Sequence, residues 1–367
     1  MINLDYEVCI VGGGPAGVLL ACLLVENGIS TILLEKQTSI GAAFRGELVN
    51  EEGFKVLERH GILKEMPTDA YLKLERIEYW AQQHILKTIV PQEEVGHVGI
   101  HISQTELLHA ILERANRYEH FKLLTGATMI DLLQNEQGYY CGVTVRMADG
   151  ELLEVHSAVV AGSDGRYSTV RKRAGIGVEK AGHGYDMLWA KIPTPSGWEP
   201  ISRFALVNGH QLSLFTQTHE HVQIGWNIEE RSYPALVKGS FEPFIQLFAQ
   251  AFPDLNEQVS RHITSWKDFV LLQIFSASCD TWVKDGLVLF GDAAHTMTPT
   301  GAFGLNAALA DADVLADELL ACLRAGDVSA ARLSRFEYKR RAAAEQQQER
   351  QFMMEEAFSQ HFEYSEV

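Results

Sequence analysis

The chain has 367 residues, 46% of them hydrophobic and 22% charged, enough for a full core and for two compact lobes. A formal charge of −17 argues against nonspecific nucleic-acid binding, which rests on phosphate neutralisation by Lys and Arg. Cys9, Cys22, Cys141, Cys279 and Cys322 are odd in number, widely separated and mostly within apolar runs, so reduced thiols in a cytoplasmic protein are expected, with neither a disulfide framework nor a metal site.

The first element is an apolar strand at 7–11, then Gly12-Gly13-Gly14-Pro15-Ala16-Gly17 opening a helix over 18–26 that Asn27-Gly28 closes. A second strand at 31–34 ends in Glu35. This is a dinucleotide fingerprint in the context it needs. The glycines serve the tight turn, the pyrophosphate approach and helix–strand packing, and an acid follows for ribose hydroxyls. Gly12, Gly14, Pro15, Ala16, Gly17 and Glu35 are therefore candidate cofactor-binding residues. The apolar run at 18–25 is not a signal sequence, because Asp5 and Glu7 precede it and no Lys or Arg does. No apolar stretch approaches the about 18–20 residues of a membrane span.

Residues 158–162 form another apolar strand, ending in Ser163-Asp164-Gly165, with Ser168 and Arg171 opening a helix. Between 182 and 275 the pattern is β-rich, with strands at 185–192, 203–207, 211–216, 221–228 and 269–275 and helical spacing over 241–252. Residues 71–90 add strands to the same sheet.

Residues 287–290 read as a short buried strand, so Asp292 emerges at its carboxyl end, where open α/β sheets bind ligands, and can accept from a polyol hydroxyl. Pro299 fixes φ, while Gly301 and Gly304 let backbone amides approach a planar ligand with no Cβ in the way. Leu305, Leu309, Ala312, Leu315 and Leu319 keep helical spacing toward a stop at Gly326. The loop thus feeds a helix amino terminus, whose charge of roughly half a proton suits the negative edge of a reduced flavin. Residues 329–362 read as a helical tail, with Lys339-Arg340-Arg341 as a solvated face.

With these residues in view, the chain resembles the single-component flavoprotein monooxygenases of the 4-hydroxybenzoate hydroxylase type. The resemblance is carried by GxGxxG, Asp164-Gly165, Gly291-Asp292 and above all Pro299-Thr300-Gly301-Ala302-Phe303-Gly304-Leu305-Asn306, with Gln104-Thr105-Glu106 and Arg45-Gly46 at further family positions. It covers most of the chain and is weakest in the middle. It implies an α/β fold with a Rossmann-like FAD-binding domain from residues 1–70, 96–178 and 277–330, an antiparallel β-sheet substrate domain from 71–95 and 179–276, and a C-terminal helical region at 331–367. It further implies FAD contacts from Glu35, Arg45, Gln104, Asp164 and Asp292, with the amides of Gly304, Leu305 and Asn306 against the ring. Pro299 would line the reacting face, and Arg45 and the Asp-Gly motif would also handle NAD(P)H. With a single dinucleotide fingerprint, the nicotinamide has no Rossmann site of its own and binds transiently.

The activity implied is hydroxylation of an aromatic small molecule by NAD(P)H and O2 through a C4a-hydroperoxyflavin, the cofactor carrying the hard chemistry. No catalytic side chain is assigned, and His295 is read as structural. Enzymes of the family that act on 4-hydroxybenzoate pair its carboxylate with an Arg on the substrate sheet, and residues 204–210 hold none. A larger, less charged aromatic or polycyclic substrate is therefore favoured. Trp189, Phe215, Trp226 and Phe275 fall on strands and are either pocket lining or core. Other readings are a flavin-dependent reductase or dehydrogenase of an olefin, a flavin-dependent halogenase, whose Trp-x-Trp-x-Ile-Pro pattern 225–229 does not supply, and a non-enzymatic FAD-binding regulator. If the turn at 12–17 holds a pyrophosphate, Gly14→Val should weaken FAD affinity by steric bulk; titration of the apoprotein with FAD checks this, and native affinity would show the turn to be misplaced.

Overall fold

A computed structural model describes residues 2–41, 47–67, 69–93 and 96–362. The polypeptide forms two compact units. The first comprises Met1–Met66, Gln104–Ala181 and Ser276–Arg350, the second Pro67–Ser103, Gly182–Phe275 and Gln351–Val367.

The first unit is built on a sheet whose strand order is Val283–Lys284, Leu287–Leu289, Leu152–Gly162, Ile2–Val11, Thr31–Glu35, Phe121–Thr125. The four pairings from Leu287–Leu289 to Phe121–Thr125 are parallel. The strands Ala127–Gln134 and Tyr140–Met147 extend the sheet antiparallel from Leu152–Gly162. Val8, Cys9, Ile10, Ile32 and Leu33 are fully buried, as a parallel sheet covered on both faces requires. Helix Pro15–Glu26 is buried from Pro15 through Val25, which explains its nearly all-apolar sequence, and it packs on the long helix Phe303–Ala325. That helix ends where the sequence places its stop, with Gly326 at φ +63° donating its N–H to Leu323 O. All five cysteines are free.

The second unit holds a seven-stranded sheet in the order Val270–Leu272, Tyr185–Pro193, His221–Glu229, His210–Gln217, Ile201–Val207, Arg76–Ala81, His84–Ile89. One pairing corrects the antiparallel expectation: Ile201–Val207 runs parallel to Arg76–Ala81. These two strands come from distant stretches of chain, so no hairpin dictates their relative direction.

The sheet has two different faces because side chains alternate along each strand. Leu188, Leu212, Leu214, Ile224 and Trp226 share a core with Phe244, Phe248 and Val259 of the helices Glu242–Ala251 and Asn256–His262. Trp189, Ser213, Phe215, Gln223 and Gly225 have the opposite parity and form the other face. On that face Trp189, Gly225, Ser213, Phe204 and Tyr79 lie in one cross-strand row. The turn Phe358–Phe362 covers its far end, His361 stacking on Tyr79 at 4.5 Å between ring centroids. Trp226 is thus core, its ring 5.1 Å from Phe244, while Trp189 and Phe215 lie across the sheet from it and Phe275 is half-buried. Among the described residues no helix is long and apolar enough to cross a membrane. Trp226→Ala should cost about 3–5 kcal/mol of stability by leaving a cavity, and Phe215→Ala clearly less; urea denaturation measures both, and equal losses would contradict the two-faced reading.

Candidate functional site

The register of the first sheet brings four strand ends into line. Leu289 pairs with Gly162, Gly162 with Val11, and Val11 with Leu34, so the residues that follow, Phe290, Ser163, Gly12 and Glu35, emerge side by side. At about 4.8 Å between strands, this row is roughly 14 Å long.

Gly12 turns the chain at φ +113° and donates its N–H to Leu34 O at 2.8 Å; a Cβ there would lie 2.4 Å from Ser163 O. At Gly17 a Cβ would lie 2.0 Å from Gly12 O, so the helix enters directly over the strand only because that atom is missing. Gly14 is the N-cap with no side-chain cap, and Pro15 follows at the first helical position. The leading amides, including those of Ala16 and Gly17, are left for an outside acceptor and carry the positive end of the helix dipole. Glu35 accepts the Gly13 N–H on Oε2 and the Gln37 N–H on Oε1, each at 2.8 Å. Each oxygen keeps a further lone pair for a hydroxyl donor.

At the neighbouring strand end, Ser163 Oγ donates to Gly12 O at 3.0 Å. The Asp164 carboxylate caps its own helix, Thr169–Arg173, accepting from Ser168 Oγ at 2.5 Å, Thr169 N–H at 2.6 Å and Val170 N–H at 3.1 Å. The buried Arg171 guanidinium donates to Ala293 O at 2.7 Å and Arg166 O at 3.0 Å, tying this arm to the Gly-Asp turn. Gln104, a buried residue, opens helix Gln104–Ala115, and its N–H donates to Glu47 Oε1 at 3.1 Å. Arg45 lies outside the described residues.

The Gly291 turn sits at φ +57°, where a Cβ would be 3.5 Å from both Ala16 Cβ and Ala308 Cβ. Asp292 next to it is half-buried, and its carboxylate accepts no hydrogen bond among the described residues. Its Oδ1 lies 3.9 Å from where Gly304 would carry a Cβ, so the carboxylate stands over the amino end of Phe303–Ala325. That end has no side-chain cap and no acidic residue in its first turn. The loop before it turns through Pro299 at φ −71°, Gly301 at φ +71° and Ala302 at φ +54°. Left-handed Ala302 costs of order 1 kcal/mol, strain of a kind that collects at ligand sites. The Asn306 side chain is spent internally: Oδ1 accepts the Asn50 N–H at 3.0 Å, and Nδ2 donates to Leu48 O at 3.1 Å and Ala302 O at 2.6 Å.

Sequence reasoning missed what holds this turn. Asp311 is fully buried; its Oδ2 accepts the Gly291 N–H at 2.9 Å and His295 Nε2 at 2.6 Å, and its Oδ1 accepts Arg340 Nε at 2.8 Å. Burial pushes the Asp311 carboxyl up, but His295 and Arg340 outweigh it and hold the group below its ordinary range. The reading of Lys339-Arg340-Arg341 as a solvated face is therefore wrong for Arg340, which is 7% exposed. Helical spacing places it with the buried Phe336 and Ala344, four residues to either side. Asp311 lies midway between the buried Ala307 and Leu315, and a charge at such a position is the signal that marked it.

These features suit FAD: a cradle in which a Cβ would collide with backbone, two uncapped helix ends and an Asp292 carboxylate with no partner among the described residues. The sequence matches the family described as FAD binding domain over residues 5–351. It is 34% identical over 343 residues to 6-methylpretetramide 4-monooxygenase of Streptomyces rimosus, covering 92% of this chain and 81% of the relative. It is 26% identical over 325 residues to ubiquinone hydroxylase UbiL of Rhodospirillum rubrum, covering 87% and 73%. The crystal structure of pqsL, a probable FAD-dependent monooxygenase from Pseudomonas aeruginosa, is similar at a TM-score of 0.83 with 20% identity, covering 97% of each chain, a likeness of fold. Asp292→Ala should lower the flavin content of the purified protein at unchanged far-ultraviolet circular dichroism; a fully yellow variant would count against the role of this carboxylate.

Proposed function

Because the chain belongs to the FAD binding domain family and is an FAD-dependent monooxygenase, we propose that it hydroxylates an uncharged aromatic or polycyclic small molecule at the expense of NAD(P)H and O2. Bound FAD supplies the redox and oxygen-transfer chemistry. The chain supplies binding, orientation and charge.

In this reading the first unit holds FAD and the second holds the substrate. Gly12, Gly14, Pro15, Ala16 and Gly17 bring backbone amides and a helix end to the pyrophosphate. Glu35 accepts from the adenosine ribose, and Asp292 from a hydroxyl of the ribityl chain. The amides of Gly304, Leu305 and Asn306, at a positive helix end, stabilise negative charge on the ring. Pro299 limits the reacting face, while Gln104, Asp164 and Arg45 complete the binding shell. Arg45 and the Asp164-Gly165 turn also meet the transient nicotinamide. His295 is structural in this reading, buried with Nε2 bonded to Asp311.

One observation carries the choice of an uncharged substrate. Arg203 stands just before the stretch 204–210, but its side chain points to the helix-covered face of the second sheet. There it pairs with Glu78 at 3.2 Å and Asp254 at 2.7 Å and lies between the rings of Trp80 and Trp198, 4.6 and 4.3 Å from their centroids. It is unavailable to a substrate carboxylate on the other face. That face offers Trp189, Phe215, the Ser213 hydroxyl and the hydrogen-bonded amides of Gln217 and Gln223, with the exposed Lys191 beside Gln223 and the exposed Lys87 over Tyr79 as its cations. Flat apolar groups with neutral donors and acceptors suit an aromatic ring system bearing hydroxyl or carbonyl groups, and the similarity to a monooxygenase of 6-methylpretetramide agrees with this.

The test is mass spectrometry of turnover mixtures with NAD(P)H, offering neutral phenols and polycyclic phenols beside hydroxybenzoates. A product heavier by one oxygen atom should form from the neutral compounds, with O2 uptake coupled to NAD(P)H oxidation. Preference for a benzoate would overturn the substrate class, and reduction of substrate without O2 would favour a reductase.

A further inference from the structure

The Asp311 network has a direction. Gln347 Nε2 donates to Glu52 Oε2 at 2.9 Å, and Arg340 Nη1 to Glu52 Oε1 at 3.3 Å. Arg340 Nε donates to Asp311 Oδ1, and Asp311 Oδ2 accepts the backbone N–H of Gly291. The chain of contacts starts in the C-terminal helix Ala330–Glu356 and ends one residue before Asp292.

We propose that Asp311, clamped by Arg340, is a positioning residue for FAD: it fixes the Gly291 turn and thereby aims the Asp292 carboxylate, without touching the cofactor. This rests on the FAD site described above and gives the C-terminal helix a place in it.

Three features argue for positioning over mere support of the fold. A buried ion pair is an expensive way to join two helices, since apolar side chains of similar volume hold them as well or better. The charge is used on a backbone donor in a left-handed turn, a group that no apolar side chain could satisfy. And the residue after that donor carries a carboxylate with no partner among the described residues, so nothing local sets its direction. His295 donates from Nε2 to the same Asp311 oxygen and packs its ring 4.9 Å from Trp282, which closes the far side of the turn.

The test is a double-mutant cycle read as FAD dissociation constants of the apoproteins, with circular dichroism and melting temperature as controls. Arg340→Met should weaken FAD binding at least tenfold in the otherwise native chain and by less than twofold when Asp292→Ala is already present. Arg340→Lys, which keeps the charge but not the forked geometry, should recover part of the affinity lost in Arg340→Met. If Arg340→Met lowers the melting temperature but leaves FAD affinity within twofold of native, or if the two substitutions multiply, Asp311 only supports the fold and the proposal falls. Should Arg340→Met fail to fold, Glu52→Gln at the half-exposed end of the network makes the same cycle at two- to threefold amplitude, and multiplication with Asp292→Ala there overturns the proposal equally. A native chain that binds no FAD would instead refute the cofactor reading itself.

Discussion

The parallel register of four strands is the constraint on which the site depends. Hydrogen bonding sets Leu289, Gly162, Val11 and Leu34 in one row, so three segments far apart in sequence reach the edge of the sheet together. Parallel strands cannot be joined by hairpins, so each return brings a crossover and a new strand end to the same side. The glycine turn, Glu35, the Asp164 arm and the Gly291 turn are neighbours for this reason. Gly12 and Gly17 then let the first helix start so close to the sheet that any side chain there would meet backbone.

Closeness creates the second problem, which is charge. The same edge gathers Glu35, Asp164 and Asp292 beside two helix amino ends. Two of these carboxylates are held by backbone amides, Glu35 by Gly13 and Gln37, Asp164 by its own helix. Asp292 is not. Its setting comes from behind, through the buried set of Asp311, His295 and Arg340. The long helix Phe303–Ala325 thus offers uncapped amides at its start and, two turns later, the carboxylate that steadies the turn in front of them.

The second unit gives its sheet two unlike faces by alternation. One parity of its strands is apolar and covered by helices, and it also absorbs Arg203 between two indoles and two carboxylates. The other parity carries aromatic rings, a hydroxyl, amides, Lys87 and Lys191. A single residue's shift in register would exchange the two sets, which is why Trp189 and Trp226 stand on opposite sides of one sheet although both are tryptophans on adjacent strands.

Local patterns in the sequence determined the elements and the glycine turns, because strand, turn and helix signals are short-range: the fingerprint at 12–17, the Gly-Asp turn and the loop from Pro299 to Asn306 were all legible there. Period two in the middle of the chain likewise marked out a β-sheet. What it left open was whether a given aromatic belongs to core or pocket, since that turns on which face a neighbouring helix covers. The tertiary structure alone decided that Trp226 is core, that Arg203 turns away, that one strand pair is parallel and that Arg340 is buried. In a run of basic residues on a helix, solvent is the default partner; only the arrival of Asp311 and Glu52 from other helices makes burial of one guanidinium favourable, and such pairings are set by packing across hundreds of residues.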